Sequence, residues 1–333
     1  MRKVLLCLAL LAAGCGREMS GSRIYQVDID VPSEGGRKLQ VSAFFPGRLR
    51  VSAGDTITFT NRSTEAPHTI TFGVAPDRSN QPKLLTQDGE NPSAFGKCYG
   101  KGKPKPSLTT CASKTLPAYN GTGYWNSGLL QPASAPDPAG PKSVSVKIAE
   151  RTPKGEYAFV CVLHPFMNGT LSVGIAEDSP SSPEDVTAEG AADAQSALAA
   201  ARALERPRLF VHGNAVTVSA GWGDRVISVN RFAPARVVVR VGMTVEWVTQ
   251  SLYEPHTVTF ASPYTRTADP KSFRPSGRKS GSSYSGGLAN SGLLGPPGGP
   301  FPSGPFTLKF TKAREYRYVC TLHPGMNGVV VVR

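Results

Sequence analysis

Cys161, His164 and Met167 lie at three-residue intervals, and Cys320, His323 and Met326 repeat the same residue types at the same spacing. If a strand ends at the cysteine, a tight loop can aim thiol, imidazole and thioether at one point. Pro165 fixes one backbone dihedral and removes an N–H, which stiffens that loop. A second imidazole stands far upstream in each case, His68 for the first set and His256 for the second. A thiolate, two imidazoles and a weak axial thioether make the donor set of a type 1 (blue) copper site used for electron transfer. Zinc favours more thiolates or a carboxylate, and a thioether serves it poorly. A single copy of the pattern also fits a buried cysteine, two satisfied histidines and a core methionine. Two copies absorb four of the five histidines in the chain, and two of the four methionines beyond the initiator. Chance burial does not account for that.

The elements that must carry these residues are duplicated as well. Pro67-His68-Thr69-Ile70-Thr71-Phe72 returns as Pro255-His256-Thr257-Val258-Thr259-Phe260, and Asn126-Ser127-Gly128-Leu129-Leu130 returns as Asn290-Ser291-Gly292-Leu293-Leu294, in the same order. Two copies of one domain are the economical reading. Alternating Val- and Thr-rich runs separated by Gly/Pro turns predict short strands in a sandwich or barrel. In the first copy these cover 24–31, 39–45, 56–61, 68–72, 143–149, 156–161 and 169–173. In the second they cover 236–241, 244–248, 257–260, 306–310, 315–320 and 329–332. The interval from first histidine to Asn-Ser-Gly is 58 residues in copy one and 34 in copy two, so copy one holds an inserted loop around 75–120. The predicted organisation is a signal segment at 1–14, a first domain at 21–175, an acidic linker at 176–206 and a second domain at 207–333. Ser182-Pro183-Glu184-Asp185 reads as a helix start within the linker, and Pro207 lies beyond its end.

The N-terminus reads as an export signal. Arg2 and Lys3 precede a short apolar run that is too short to span a bilayer. Leu11-Ala12-Ala13-Gly14-Cys15 resembles a bacterial lipobox with Cys15 as the lipidated residue, although Ala12 stands where leucine is usual. The expectation is an exported protein of the cell envelope, held to a membrane by an N-terminal lipid. The net charge of +13 comes without any nucleic-acid motif, so nucleic acid is excluded as a partner. An acidic protein or an anionic membrane surface suits the charge better.

The two Cys-x-x-His-x-x-Met loops resemble the ligand loop of the small blue copper proteins, the plastocyanin and amicyanin group of cupredoxins. The resemblance covers roughly 38–175 and 225–333. It implies an all-β chain of two cupredoxin-type Greek-key β-sandwich domains with one type 1 copper each. The ligands would be His68, Cys161, His164 and Met167 in the first, and His256, Cys320, His323 and Met326 in the second. It also implies electron exit through the edges of His164 and His323, inside apolar patches of Leu163, Pro165 and Phe166 or of Leu322 and Pro324. The group often has Asn after the first histidine. Thr69 and Thr257 stand there in this chain, and their hydroxyls are expected to tie the ligand-bearing segments together instead.

The function expected is single-electron transfer between redox proteins, with copper storage or delivery as the alternative. A copper oxidase or nitrite reductase fits less well, because its further copper centres need histidines that this chain lacks. His212, the one histidine outside the pattern, reads as a structural or surface residue. Cys98 and Cys111 remain after the ligands and signal cysteines are assigned. They read as a disulfide in an exported protein, with two free thiols as the alternative. Basic residues gather between the first histidine and the Asn-Ser-Gly turn of each copy. They are Lys97, Lys101, Lys103, Lys105 and Lys114 in one, and Arg266, Lys271, Arg274, Arg278 and Lys279 in the other. These are candidates for steering an acidic redox partner, or for a solvated loop that aids solubility.

Overall fold

The computed structural model describes residues 21–33, 38–73, 116–133, 141–164, 166–174, 181–204, 207, 210–264, 269–296 and 301–333. The expectations for Cys15, Cys98, Cys111, Pro165, Arg266 and the five lysines of the copy-one loop lie outside the described residues.

The first domain contains β1 (Ile24–Ile29), β2 (Leu39–Val41), β3 (Phe44–Phe45), β4 (Arg48–Val51), β5 (Thr56–Asn61), β6 (Thr71–Phe72), β7 (Trp125–Asn126), β8 (Ser143–Lys147), β9 (Gly155–Val160) and β10 (Asn168–Val173). Helix α1 (Pro183–Ala203) follows. The second contains β11 (Phe210–His212), β12 (Ala215–Gly223), β13 (Ile227–Ala233), β14 (Arg236–Val239), β15 (Thr244–Gln250), β16 (Thr259–Phe260), β17 (Ser276–Gly277), β18 (Ser282–Tyr284), β19 (Ala289–Asn290), β20 (Phe306–Phe310), β21 (Arg314–Val319) and β22 (Asn327–Val332). Strands such as β4 and β5 alternate between buried and more exposed positions, as a half-buried sheet requires.

Both domains are two-sheet sandwiches with matching topology. One sheet runs β3-β1-β5-β8 in the first domain, and β18-β20-β15-β12-β13 forms its counterpart. The other runs β4-β10-β9-β6-β7, matched by β14-β22-β21-β16-β19-β17. The duplication extends to strand direction. β1 pairs parallel to β5 as β12 does to β15, and β4 pairs parallel to β10 as β14 does to β22. Aromatic rings fill each core: Phe44, Phe59 and Phe159 meet edge-to-face in one, and in the other Trp247 meets Phe260 and Tyr318 edge-to-face. Such pairs add about 0.5–1.5 kcal/mol each beyond the area they bury.

Two elements depart from the sequence reading. The single strand expected over 39–45 is broken, because Ala43 N–H turns back to Val41 C=O at 2.8 Å and Val41 N–H goes to the Asp30 carboxylate at 2.6 Å. Its first half, β2, leaves the first domain and pairs antiparallel with β13 of the second, Gln40 opposite Ser228. The helix is also more than a linker. Ser182 caps it by accepting from Asp185 N–H, Val186 sits in the first core, and Leu198 and Ala201 close a third apolar cluster with Leu39, Val41, Trp222 and Ile227. The two sandwiches thus share a sheet and a core at their boundary.

Candidate metal centres

Each candidate centre begins where a strand ends. Cys161 follows β9 and Cys320 follows β21. Backbone hydrogen bonds tighten the loops: Cys161 N–H donates to Met167 C=O at 3.0 Å and Met167 N–H to His164 C=O at 2.9 Å. The second loop repeats both, at 2.9 and 3.1 Å between the corresponding residues. In the second loop Gly325 takes a left-handed φ of 74°, which a glycine adopts without strain.

The upstream histidines stand at the head of segments predicted to be strands, 68–72 in copy one and 257–260 in copy two. Each histidine makes an isolated bridge, to Leu130 or Leu294, and the strands β6 and β16 start only at Thr71 and Thr259, because the two N–H groups between go to side chains. Thr69 N–H points at Cys161 Sγ (3.3 Å) and Ile70 N–H at Ser127 Oγ (2.9 Å). Thr257 N–H and Val258 N–H do the same to Cys320 Sγ (3.3 Å) and Ser291 Oγ (2.8 Å). The threonine hydroxyls tie the two ligand-bearing segments as expected: Thr69 Oγ1 accepts from Val162 N–H at 3.0 Å, and Thr257 Oγ1 from Thr321 N–H at 2.8 Å. The Asn-Ser-Gly repeat turns the chain in both copies, with Gly128 and Gly292 at left-handed φ of 75° and 67°.

The structure therefore gathers His68, Cys161 and His164 in one buried group and His256, Cys320 and His323 in another, the ligand atoms of each within 4.8 Å of one another. Nδ1 of His164 and of His68 lie 3.4 and 3.8 Å from Cys161 Sγ, and Nδ1 of His323 lies 3.5 Å from Cys320 Sγ. Metal bonds of about 2.0–2.3 Å, opening at tetrahedral to trigonal angles, place N and S donors about 3.5–3.8 Å apart. The separations from His68, His164 and His323 to their cysteine sulfurs are close to that span. Among the described residues, both ring nitrogens of buried His256 lack a hydrogen-bond partner, as suits a ligand held ready. Burial would raise both thiols, but the flanking imidazoles hold Cys161 and Cys320 well below the ordinary range, towards the thiolate that binds metal. Met167 and Met326 are buried in the same apolar clusters as Cys161 and Cys320. His212 is exposed on β11 beside Glu246 Oε2 at 2.9 Å, a surface residue as expected.

Four residues that the sequence did not single out shape these groups. Asp30, at φ 60°, sets Oδ2 3.2 Å from His68 Nε2 with both side chains fully buried. Gly221 takes the corresponding place in the second domain, and a Cβ there would fall 2.0 Å from His256 Nε2. Burial alone lowers both upstream histidines. The Asp30 and Cys161 contacts push His68 up to about 9 instead, while His256, facing the like charge of His323, stays below its ordinary value. The third residue is Glu254. Its Oε1 lies 3.1 Å from His323 Nε2, and its Oε2 lies 3.7 Å from His164 Nε2 in the other domain. Burial would raise Glu254, but the hydrogen bond and charge of His323 and the charge of His164 hold it down to about 2. Gln40, on the strand that crosses domains, touches both His164 Nε2 (2.8 Å) and Glu254 Oε2 (3.2 Å). One signal was available. Aligning the repeats sets Glu254-Pro255-His256 against Ala66-Pro67-His68, a carboxylate in one copy only.

This arrangement corrects the expected electron exit. Among the described residues, the rings of His164 and His323 are buried against the domain boundary, 6% and 3% exposed. Phe166 is partly exposed at the rim, with the Arg225 guanidinium 5.2 Å above its ring.

Residues 228–333 match the family of copper binding proteins, plastocyanin/azurin family. No significant match to a curated protein was found. Among solved structures, a Cu(I) form of an amicyanin variant is 22% identical, covering 38% of this chain and 92% of its own, with a TM-score of 0.24. A purple cupredoxin from Nitrosopumilus maritimus is 18% identical over 35% of this chain and 98% of its own, with a TM-score of 0.23.

Proposed function

We propose that this cupredoxin-like chain, which matches the copper-binding plastocyanin/azurin family over 228–333, holds two type 1 copper ions and carries single electrons between redox partners. The observation behind this reading is the pair of buried Cys/His/His groups, one in each sandwich, with the ligand atoms of each within 4.8 Å of one another. His68, Cys161, His164 and Met167 would hold one ion, and His256, Cys320, His323 and Met326 the other. Bound copper supplies a one-electron couple. The chain supplies fixed donors, hydrogen bonds to each sulfur and a dry surround, so that little has to move when the charge changes. Export to the cell envelope, with Cys15 as a lipid anchor, belongs to the same reading. No helix among the described residues is long and apolar enough to cross a membrane.

Copper storage or delivery is the weaker reading. It calls for donors that exchange readily, whereas His68, Cys161 and His256 are fully buried. An oxidase-like or nitrite-reducing centre would need further histidines, and His212 is the only one left. Substitution of the thiolates tests the proposal. Cys161→Ser and Cys320→Ser should each remove about half of the visible thiolate-to-copper absorption, and the double variant all of it. Full colour in the double variant would refute the assignment.

A further inference from the structure

The boundary between the domains is where the two groups meet. Each loop histidine turns Nδ1 to its own cysteine sulfur, at 3.4 Å for His164 and 3.5 Å for His323. Each turns Nε2 away from its own site, and both Nε2 atoms face one carboxylate, Glu254, at 3.7 and 3.1 Å. The 3.1 Å contact is a hydrogen bond; the 3.7 Å contact is an ion-pair approach outside hydrogen-bond range. A buried polar frame fixes Glu254 there. Gln40 Nε2 donates to its Oε2 at 3.2 Å, and its own N–H donates to Ser251 Oγ at 3.0 Å. Asn230 in turn donates to Gln40 Oε1 at 3.4 Å. Burying a carboxylate costs several kcal/mol unless it is well partnered, and an apolar side chain would close the same boundary without that cost. Copy one does without an acid at the equivalent place, which is Ala66.

We propose that His164, Glu254 and His323 form an internal conduit between the two centres, and that the chain passes one electron from the first-domain centre to the second. This rests on the copper reading above. The step is a simple exchange. One centre loses an electron and the other gains it, no bond forms or breaks, and the imidazole protons stay where they are. The direction follows from charge. Asp30 places a buried anion 3.2 Å from His68 Nε2, whereas Gly221 offers His256 none. A carboxylate on a ligand imidazole raises its basicity and favours the more positive, oxidised state of the centre it serves. The imidazoles of the first centre face two carboxylates, Asp30 at 3.2 Å and Glu254 at 3.7 Å, and those of the second face Glu254 alone, at 3.1 Å. The first centre is the donor end and the second the acceptor. Glu254 and Asp30 are positioning residues, acting through the histidines.

The test uses the copper-loaded full chain, with Cys161→Ser and Cys320→Ser assigning each centre's spectrum and potential. Copper content and colour are measured first. A wild type without two coloured coppers would sink the copper reading, and the conduit with it. With both coppers present, one-electron injection by pulse radiolysis should give a redistribution phase independent of protein concentration. Glu254→Leu should slow that phase about tenfold or more, the equivalent of at least 1.4 kcal/mol in the barrier, with copper content unchanged. Glu254→Gln keeps the shape and loses the charge. It should raise both potentials together and, in metal-free protein, shift the imidazole nitrogen resonances of both His164 and His323, which a purely structural side chain would not do. Asp30→Asn should raise the first potential alone and move the electron's distribution towards that centre about tenfold, some 59 mV for one electron. A redistribution rate that scales with concentration would overturn the proposal. So would full speed in Glu254→Leu, or potentials untouched by Glu254→Gln and Asp30→Asn.

Discussion

Gly221 and Asp30 occupy equivalent positions, one bare and one charged, and each is matched to the histidine it faces. At Gly221 the left-handed φ of 73° and the 2.0 Å approach to His256 Nε2 leave no room for a side chain, and the group in the way is a candidate ligand. Gly221→Ala should therefore displace His256, abolish the second-domain colour and leave the first-domain colour intact, as visible spectra and copper per chain would record. Two coppers and an unaltered spectrum in that variant would show that His256 does not need its present position. The Cys/His/His groups were legible in the sequence, because Cys-x-x-His-x-x-Met is local and occurs twice. Thr69 and Thr257 were legible too, since each adjoins a donor. Asp30, Gln40 and Glu254 were not. Their roles arise from contacts between segments distant in sequence, and for Gln40 and Glu254 from contacts between domains, which no local spacing encodes.

Strands β5 and β20 were readable to the residue, because one face of each is buried and the pattern alternates. β12 and β13 escaped notice. Their burial is nearly continuous, since β13 is covered by β2 and the third apolar cluster instead of facing water. Helix α1 was legible from its Ser182-Pro183-Glu184-Asp185 start, yet its packing was not. Gly190 shows how closely it docks: a Cβ there would meet the Phe45 carbonyl oxygen at 2.6 Å. In a free helix Gly→Ala gains about 1 kcal/mol. Overpacking against backbone typically costs about 1–3 kcal/mol, so the clash should win. Gly190→Ala is expected to lower stability in denaturant titration, most clearly where the domains meet. A stabilised variant would mean that α1 is a loosely attached linker after all.

At the scale of the whole molecule, the two sandwiches turn their loop histidines inward, and among the described residues both rings are buried against the domain boundary. Lys271, Arg274, Arg278 and Lys279 do lie exposed on the second domain, between its first histidine and the Asn-Ser-Gly turn. If they steer an acidic redox partner, electron transfer should slow as ionic strength rises, since exposed charges are screened over about 10 Å at 0.1 M salt. Charge reversal at those four positions should flatten the slope, measured by stopped-flow; a rate indifferent to both salt and substitution would leave the basic residues a solubility role only. The most direct check of the central claim is copper titration of the purified full chain with visible absorption and metal analysis on the same samples. The account predicts an intense thiolate-to-Cu(II) band that grows to an end point of two coppers per chain. A chain that saturates at one copper, or takes up two without colour, would contradict it.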